Sequence, residues 1–112
     1  MAHSRMAHSP MARDAVALLG QTVATERRRQ RRTTTDLAER AGISRDTLYR
    51  VERGDPTVAI GTMMELLVLL GVSLFGKDAA GLALEVAAGR RLLQLLPASV
   101  RNRAVDEADD AF

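Results

Sequence analysis

The chain has no cysteine and no tryptophan, one tyrosine and two phenylalanines. Without cysteine there is no disulfide scaffold, no thiolate zinc site and no thiol nucleophile. Such a chain suits a reducing cytoplasm, which is where the protein is expected. With only Tyr49, Phe75 and Phe112 as aromatics, a core has to be built from Leu, Val, Ala, Met and Ile. Long apolar runs are missing too. The longest, 63–70, is interrupted by Glu65 and falls short of the roughly 18–20 residues that span a bilayer. Residues 1–12 contain no stretch resembling a signal-peptide core, so neither export nor a membrane partner is expected. At 112 residues the chain has room for one small domain and a short appendage, too little for two enzyme lobes around a cleft. It also lacks paired carboxylates in a predicted cleft and a Gly-rich phosphate loop before a helix. The expectation is therefore a protein that is not an enzyme and holds no cofactor and no metal.

What is present is charge, unevenly spread. Residues 1–56 carry 11 basic and 7 acidic side chains, a balance of +4, whereas 57–112 carry 5 and 7, a balance of −2. Residues 27–53 alone hold 9 arginines against 4 acids, or +5. A basic first half joined to a mildly acidic second half points to one surface for a polyanion and another for a different partner.

The pattern along the chain is helical throughout. Residues 1–9 repeat Met-Ala-His-Ser at 1–4 and 6–9 and read as a disordered leader; it contains His3 and His8, the only histidines. A first helix begins at Ser9-Pro10, where serine caps free amides and proline at the first position sacrifices no hydrogen bond. It runs to about Gln30 with Val16, Leu19 and Val23 on one face. A short second helix is capped by Thr33 or Thr34, carries Asp36 in its first turn, and stops at Gly42. Ser44 caps a third helix that covers Arg45 to Arg53 and ends at Gly54. Asp55-Pro56-Thr57 reads as a turn that also caps a fourth helix, about Ile60 to Leu70, stopped by Gly71. Val72 to Phe75 reads as a short extended piece, and a fifth helix is expected from about Asp78 to Leu96, ended by Pro97. The fold class is all-α, with a domain at 10–75, a C-terminal helix at 76–97 and a flexible acidic tail at 98–112.

The informative stretch is Leu37-Ala38-Glu39-Arg40-Ala41-Gly42-Ile43-Ser44-Arg45-Asp46-Thr47-Leu48-Tyr49-Arg50-Val51-Glu52-Arg53-Gly54. Two helices separated by one Gly-apolar turn must cross steeply; Ala38 permits close approach and Gly42 accepts the turn. Leu37, Ile43, Leu48 and Val51 close the wedge between them. Arg45, Asp46, Tyr49, Arg50 and Arg53 are left on the outward side of the second member.

On these residues, the segment from about Leu19 to Val72 resembles the Xre family, the lambda-repressor-like helix-turn-helix proteins. The resemblance implies a compact four- to five-helix domain whose third helix enters the DNA major groove, usually as a symmetric homodimer on an inverted-repeat operator. It places Arg45, Asp46 and Arg50 at base edges. Arginine donates twice to guanine O6 and N7. Asp46 either accepts from cytosine N4 or orients Arg45 or Arg50, the second avoiding the approach of a bare carboxylate to DNA. Thr34, Ser44, Thr47 and Arg53 fall where the family touches the phosphate backbone, and Tyr49 either stacks on the DNA or packs on its own helix. Arg27 and Glu52 match positions that the family joins in a salt bridge. The sequence departs from the pattern at Thr34, where glutamine is usual, and at Arg31-Arg32, where glycine and an apolar residue are usual.

A minimal domain of this kind needs little after Gly71, so Leu82, Val86, Leu93 and Leu96 on the fifth helix are expected to contact a second copy or another partner. The alternative is that this helix folds back on its own domain. The stretch 95–103 and the acidic end, closing on Phe112, resemble the tails of HipB-like antitoxins. That resemblance implies an autoregulated operon and a HipA-like kinase toxin as partner, with Phe112 as an anchor. The overall expectation is a sequence-specific repressor of double-stranded DNA. Its rival is an adaptor that uses the helical surface and tail to bind a protein instead.

Overall fold

A computed structural model describes residues 8–99, and they form five α-helices and no extended strand. The leader at 1–7 and the tail from residue 100, with Phe112, lie outside the described residues. The chain divides into two units, Met1–Leu74 and Phe75–Phe112. The first contains α1 (Pro10–Arg29), α2 (Thr34–Ala41), α3 (Arg45–Glu52) and α4 (Ile60–Leu69); the second contains α5 (Ala79–Leu95). No helix among the described residues is long and apolar enough to cross a membrane.

Local chemistry sets each helix start. Ser9 Oγ accepts the Ala12 amide at 3.1 Å, with Pro10 in the first turn of α1. Of the two adjacent threonines, Thr33 is the cap: its hydroxyl accepts the Asp36 amide at 3.0 Å. Ser44 Oγ accepts the Thr47 amide at 3.0 Å, and Asp78 Oδ1 accepts the Gly81 amide at 2.8 Å. The exception is α4, which starts at Ala59 with no side-chain cap. The expectation that Asp55-Pro56-Thr57 would cap it is therefore corrected. The turn lies too early in the chain, and its carboxylate is already taken by other donors.

The helix ends share one design. In α1 to α4 an amide two or three residues past the helix returns to a carbonyl five residues earlier: Arg32 to Arg27, Ile43 to Ala38, Asp55 to Arg50 and Val72 to Leu67, at 2.9–3.0 Å. This closure needs a left-handed residue just before that amide. Gly42, Gly54 and Gly71 supply it for three helices; in α1 the position is Arg31, with φ 59.

The core of the first unit is Val23, Leu37, Ala38, Leu48, Val51, Met63, Leu66, Leu67 and Leu70, with Leu19, Ala41 and Ile43 packed at its edge. Val23 is fully buried, whereas Val16 is only half-buried, because α1 runs past the core at its N-terminal end. Each fully buried leucine or valine contributes about 1.5–3 kcal/mol of transfer free energy. Helix α1 packs on α3 and α4, and so does α2. Around Gly20 the α1–α3 contact is made by backbone. A Cβ built at Gly20 would overlap the Val51 carbonyl oxygen, and one at Gly54 would come within 2.9 Å of Ala17 Cα. No side chain separates the two helices at this crossing.

The second unit opens with Phe75 (φ 57) and Gly76 (φ 68), followed by the Asp78 cap and α5. No α5 residue is buried: Val86 is 50% exposed, Leu93 69% and Leu96 51%, with Leu82 half-buried.

Candidate nucleic-acid interface

Successive residues of a helix are rotated by about 100°, so the burial of Leu48 and Val51 sends Asp46, Arg50 and Arg53 out on the opposite side of α3. Asp46 and Arg53 are exposed, as are Arg45 and Tyr49. Thr47, whose amide and hydroxyl both bond Ser44, is half-buried at the start of the same helix. Thr34 is half-buried in the first turn of α2. The structure thus brings Arg45, Asp46, Tyr49, Arg50 and Arg53 onto one short rod, with Ser44 and Thr47 at its positive, N-terminal end. Arg53 lies over the Tyr49 ring, 5.2 Å from its centroid, a cation–π contact that orders both side chains.

Arg27 and Glu52 form a two-point pair: Nε to Oε2 at 2.7 Å and Nη2 to Oε1 at 3.1 Å, with both side chains about nine-tenths buried. Arg27 Nη1 also donates to the Arg32 carbonyl at 3.0 Å. One guanidinium therefore joins α1, the turn that follows it, and the last turn of α3. The hydrogen bond to Glu52 holds the Arg27 pKa above its ordinary value.

Arg50 behaves differently from its neighbours. Its Nε donates to Asp55 Oδ2 at 2.9 Å and its Nη2 to Thr57 Oγ1 at 2.9 Å, and only 34% of the side chain is exposed. The hydrogen bonds from Arg50 and from Thr57 hold the Asp55 carboxyl well below the usual carboxylate range. The ionic partner of Arg50 is therefore Asp55 and not Asp46, the neighbour that helical spacing suggests. Asp55 and Thr57 are the residues that sequence reasoning missed at this surface. The available signal was Asp-Pro-Thr itself, since an aspartate before proline readily accepts the amide two residues on; here that bond is Thr57 N to Asp55 Oδ1, 2.8 Å.

Basic residues continue beyond α3. Arg28, Arg29 and Arg31 are exposed at the end of α1, immediately before the α2 cap. Arg32 stands where an apolar residue was expected by resemblance. It is half-buried, and its Nη1 has no hydrogen-bond partner among the described residues. No group of three or more His, Cys, Asp or Glu among the described residues is arranged to hold a metal ion.

The helix-turn-helix domain family matches residues 18–74, just over half of the chain. The chain belongs to this family. Helix-turn-helix domains are DNA-binding units, and the matched span contains α2, the Gly42 turn and α3 in full. No curated protein and no solved structure matches the chain. Within the helix-turn-helix, α3 is the second member of the pair, the helix that such units lay in the major groove.

Proposed function

We propose that the protein is an Xre-type repressor that binds double-stranded DNA at an inverted repeat as a homodimer. The observation that carries this reading is the outward face of α3, where Arg45, Asp46, Tyr49, Arg50 and Arg53 stand opposite the buried Leu48 and Val51. Arg45 and Arg50 donate to base edges, Asp46 accepts from cytosine N4 or orients Arg45, and Thr34, Ser44, Thr47, Tyr49 and Arg53 approach the sugar–phosphate backbone. The arginines at 28, 29 and 31 add sequence-independent attraction to phosphate.

The test is retardation of duplex DNA from upstream of the protein's own gene, at several salt concentrations. Each phosphate contact neutralised steepens the salt dependence. Each bidentate arginine–guanine pair discriminates by ~1–3 kcal/mol, so Arg45→Ala together with Arg50→Ala should weaken operator binding by roughly a hundredfold or more. Unchanged affinity would end the assignment.

The dimer is proposed through α5. Leu82, Val86, Gly89, Leu93 and Leu96 recur at alternating spacings of four and three, the seam of a two-stranded coil. In that register Glu85 and Arg90 flank the seam at positions that meet across a parallel pair. The antitoxin role, with a HipA-like kinase toxin as partner and repression of a shared operon, rests on the resemblance of residues 95–112, including Phe112. Co-purification of a kinase-sized subunit with no retardation of promoter DNA would favour the adaptor reading instead. The exposed leucines of α5 are the observation that keeps it in view.

A further inference from the structure

Arg50 lies on the outward side of α3, half-buried because the chain after that helix folds back to hold it. Four hydrogen bonds close a ring. Arg50 Nε donates to Asp55 Oδ2 at 2.9 Å and Arg50 Nη2 to Thr57 Oγ1 at 2.9 Å. The Thr57 hydroxyl and amide donate to Asp55 Oδ1 at 2.7 and 2.8 Å. The Thr57 hydroxyl thus accepts from the arginine and donates to the aspartate. Asp55 commits both carboxylate oxygens. The turn that carries them leaves α3 through the Asp55 amide bond to the Arg50 carbonyl, 3.0 Å, so holder and held share one backbone hydrogen bond as well.

A guanidinium has five N–H donors in a planar fork. The Nε–Nη2 side is occupied by Asp55 and Thr57, which leaves Nη1 and the second Nη2 hydrogen along the far end. Those two donate in parallel, the arrangement that matches the O6 and N7 acceptors of guanine.

We propose that Asp55 and Thr57 are positioning residues that hold Arg50 in one orientation for end-on recognition of a single guanine in each half-site. The inference rests on the DNA-binding reading above and adds two residues that follow the α2–turn–α3 motif in the chain. An unrestrained arginine loses rotamer freedom when it binds, and a side chain already ordered in the free protein avoids that loss. A fixed, donor-only edge also rejects adenine and cytosine, whose exocyclic amines present hydrogens at the corresponding place in the groove. The competing possibility is that Asp55 only withholds Arg50 from DNA; it predicts the opposite effect of neutralising the carboxylate.

The experiment is selection from a randomised duplex pool with the full chain and with Arg50→Ala, Asp55→Asn, Thr57→Val and Thr57→Ser, with a thermal melt of each. The wild type is expected to enrich one motif. Arg50→Ala should flatten the preference at one base pair per half-site. Asp55→Asn and Thr57→Val should flatten that same position by about tenfold (about 1.4 kcal/mol) and spare the others. Thr57→Ser keeps the hydroxyl and should retain the wild-type preference. A role confined to folding would weaken binding to all sequences alike and lower the melting temperature. Uniform loss, an unchanged motif, or tighter binding by Asp55→Asn would overturn the proposal. A wild-type motif untouched by Arg50→Ala would overturn it while leaving the DNA-binding reading intact. Failure of the wild type to enrich any motif would remove sequence-specific reading and this inference together.

Discussion

Arg27 grips Glu52 through two hydrogen bonds, 2.7 and 3.1 Å, across 25 residues of sequence. The pair ties the last turns of α1 and α3, and its third bond, to the Arg32 carbonyl, pins the chain between α1 and α2. Buried ion pairs are not intrinsically stabilising, but removing one partner leaves the other charge unsatisfied. That loss is about 3–5 kcal/mol. Glu52→Gln is therefore expected to lower the melting temperature of the helix-turn-helix unit by more than ~10 °C, followed by circular dichroism. A melt equal to wild type would show that the pair adds nothing to folding.

Arg31 is the left-handed residue that closes α1, where the other three helices of the unit use glycine. A side chain in this conformation costs ~1–2 kcal/mol. Arg31→Gly should raise the urea midpoint, by ~1 kcal/mol in unfolding free energy after glycine's greater unfolded-state entropy is counted, with an unchanged m-value. A lowered midpoint would mean that the arginine side chain itself stabilises the turn.

Asp55 gives a pH prediction with a definite sign. Its pKa is lowered in the folded chain by Arg50 and Thr57. Its contribution to stability is therefore fully present above the ordinary carboxylate value of about 3.9 and is lost as pH falls through the lower folded value. Carboxyl-carbon NMR should find Asp55 still ionised at about pH 3, and Arg50→Ala should move its titration upward. Titration of the wild-type group near its ordinary value would mean that the ring does not persist in solution.

Self-association through α5 can be tested by charge exchange. Glu85→Arg and Arg90→Glu each place like charges across a parallel seam and should weaken dimerisation in sedimentation equilibrium; the double exchange should restore it. Because the chain has no cysteine, Leu82→Cys offers a clean second readout: identical positions meet in a parallel pair and form a disulfide between copies. Monomeric behaviour of wild type at all concentrations would remove α5 as the dimer seam.

Much of this architecture is readable from residue order, for a physical reason. Ser9, Thr33, Ser44 and Asp78 start their helices by bonding an amide three residues ahead, and Gly42, Gly54 and Gly71 stop theirs, so these boundaries depend on a handful of neighbouring atoms. The outward face of α3 follows from the same period that buries Leu48 and Val51. What escapes such reading depends on atoms distant in sequence, or on a residue in an unaccustomed conformation. Arg31 does the work usually signalled by glycine. Ala59 begins α4 without any side-chain bond. Asp46 is the neighbour that helical spacing assigns to Arg50, but a proline-stiffened turn brings Asp55 to it first. Gly20 carries no local sign that the backbone of another helix will lie against it.

That last contact has a mechanical consequence. Where two helices touch backbone to backbone, as α1 and α3 do at Gly20 and Val51, no intervening side chain can change rotamer to let one tilt against the other. If the arginine-bearing rod keeps that tilt on DNA, as the proposed function requires, the duplex does the adjusting. Base steps that yield easily will be favoured even where no side chain reaches them.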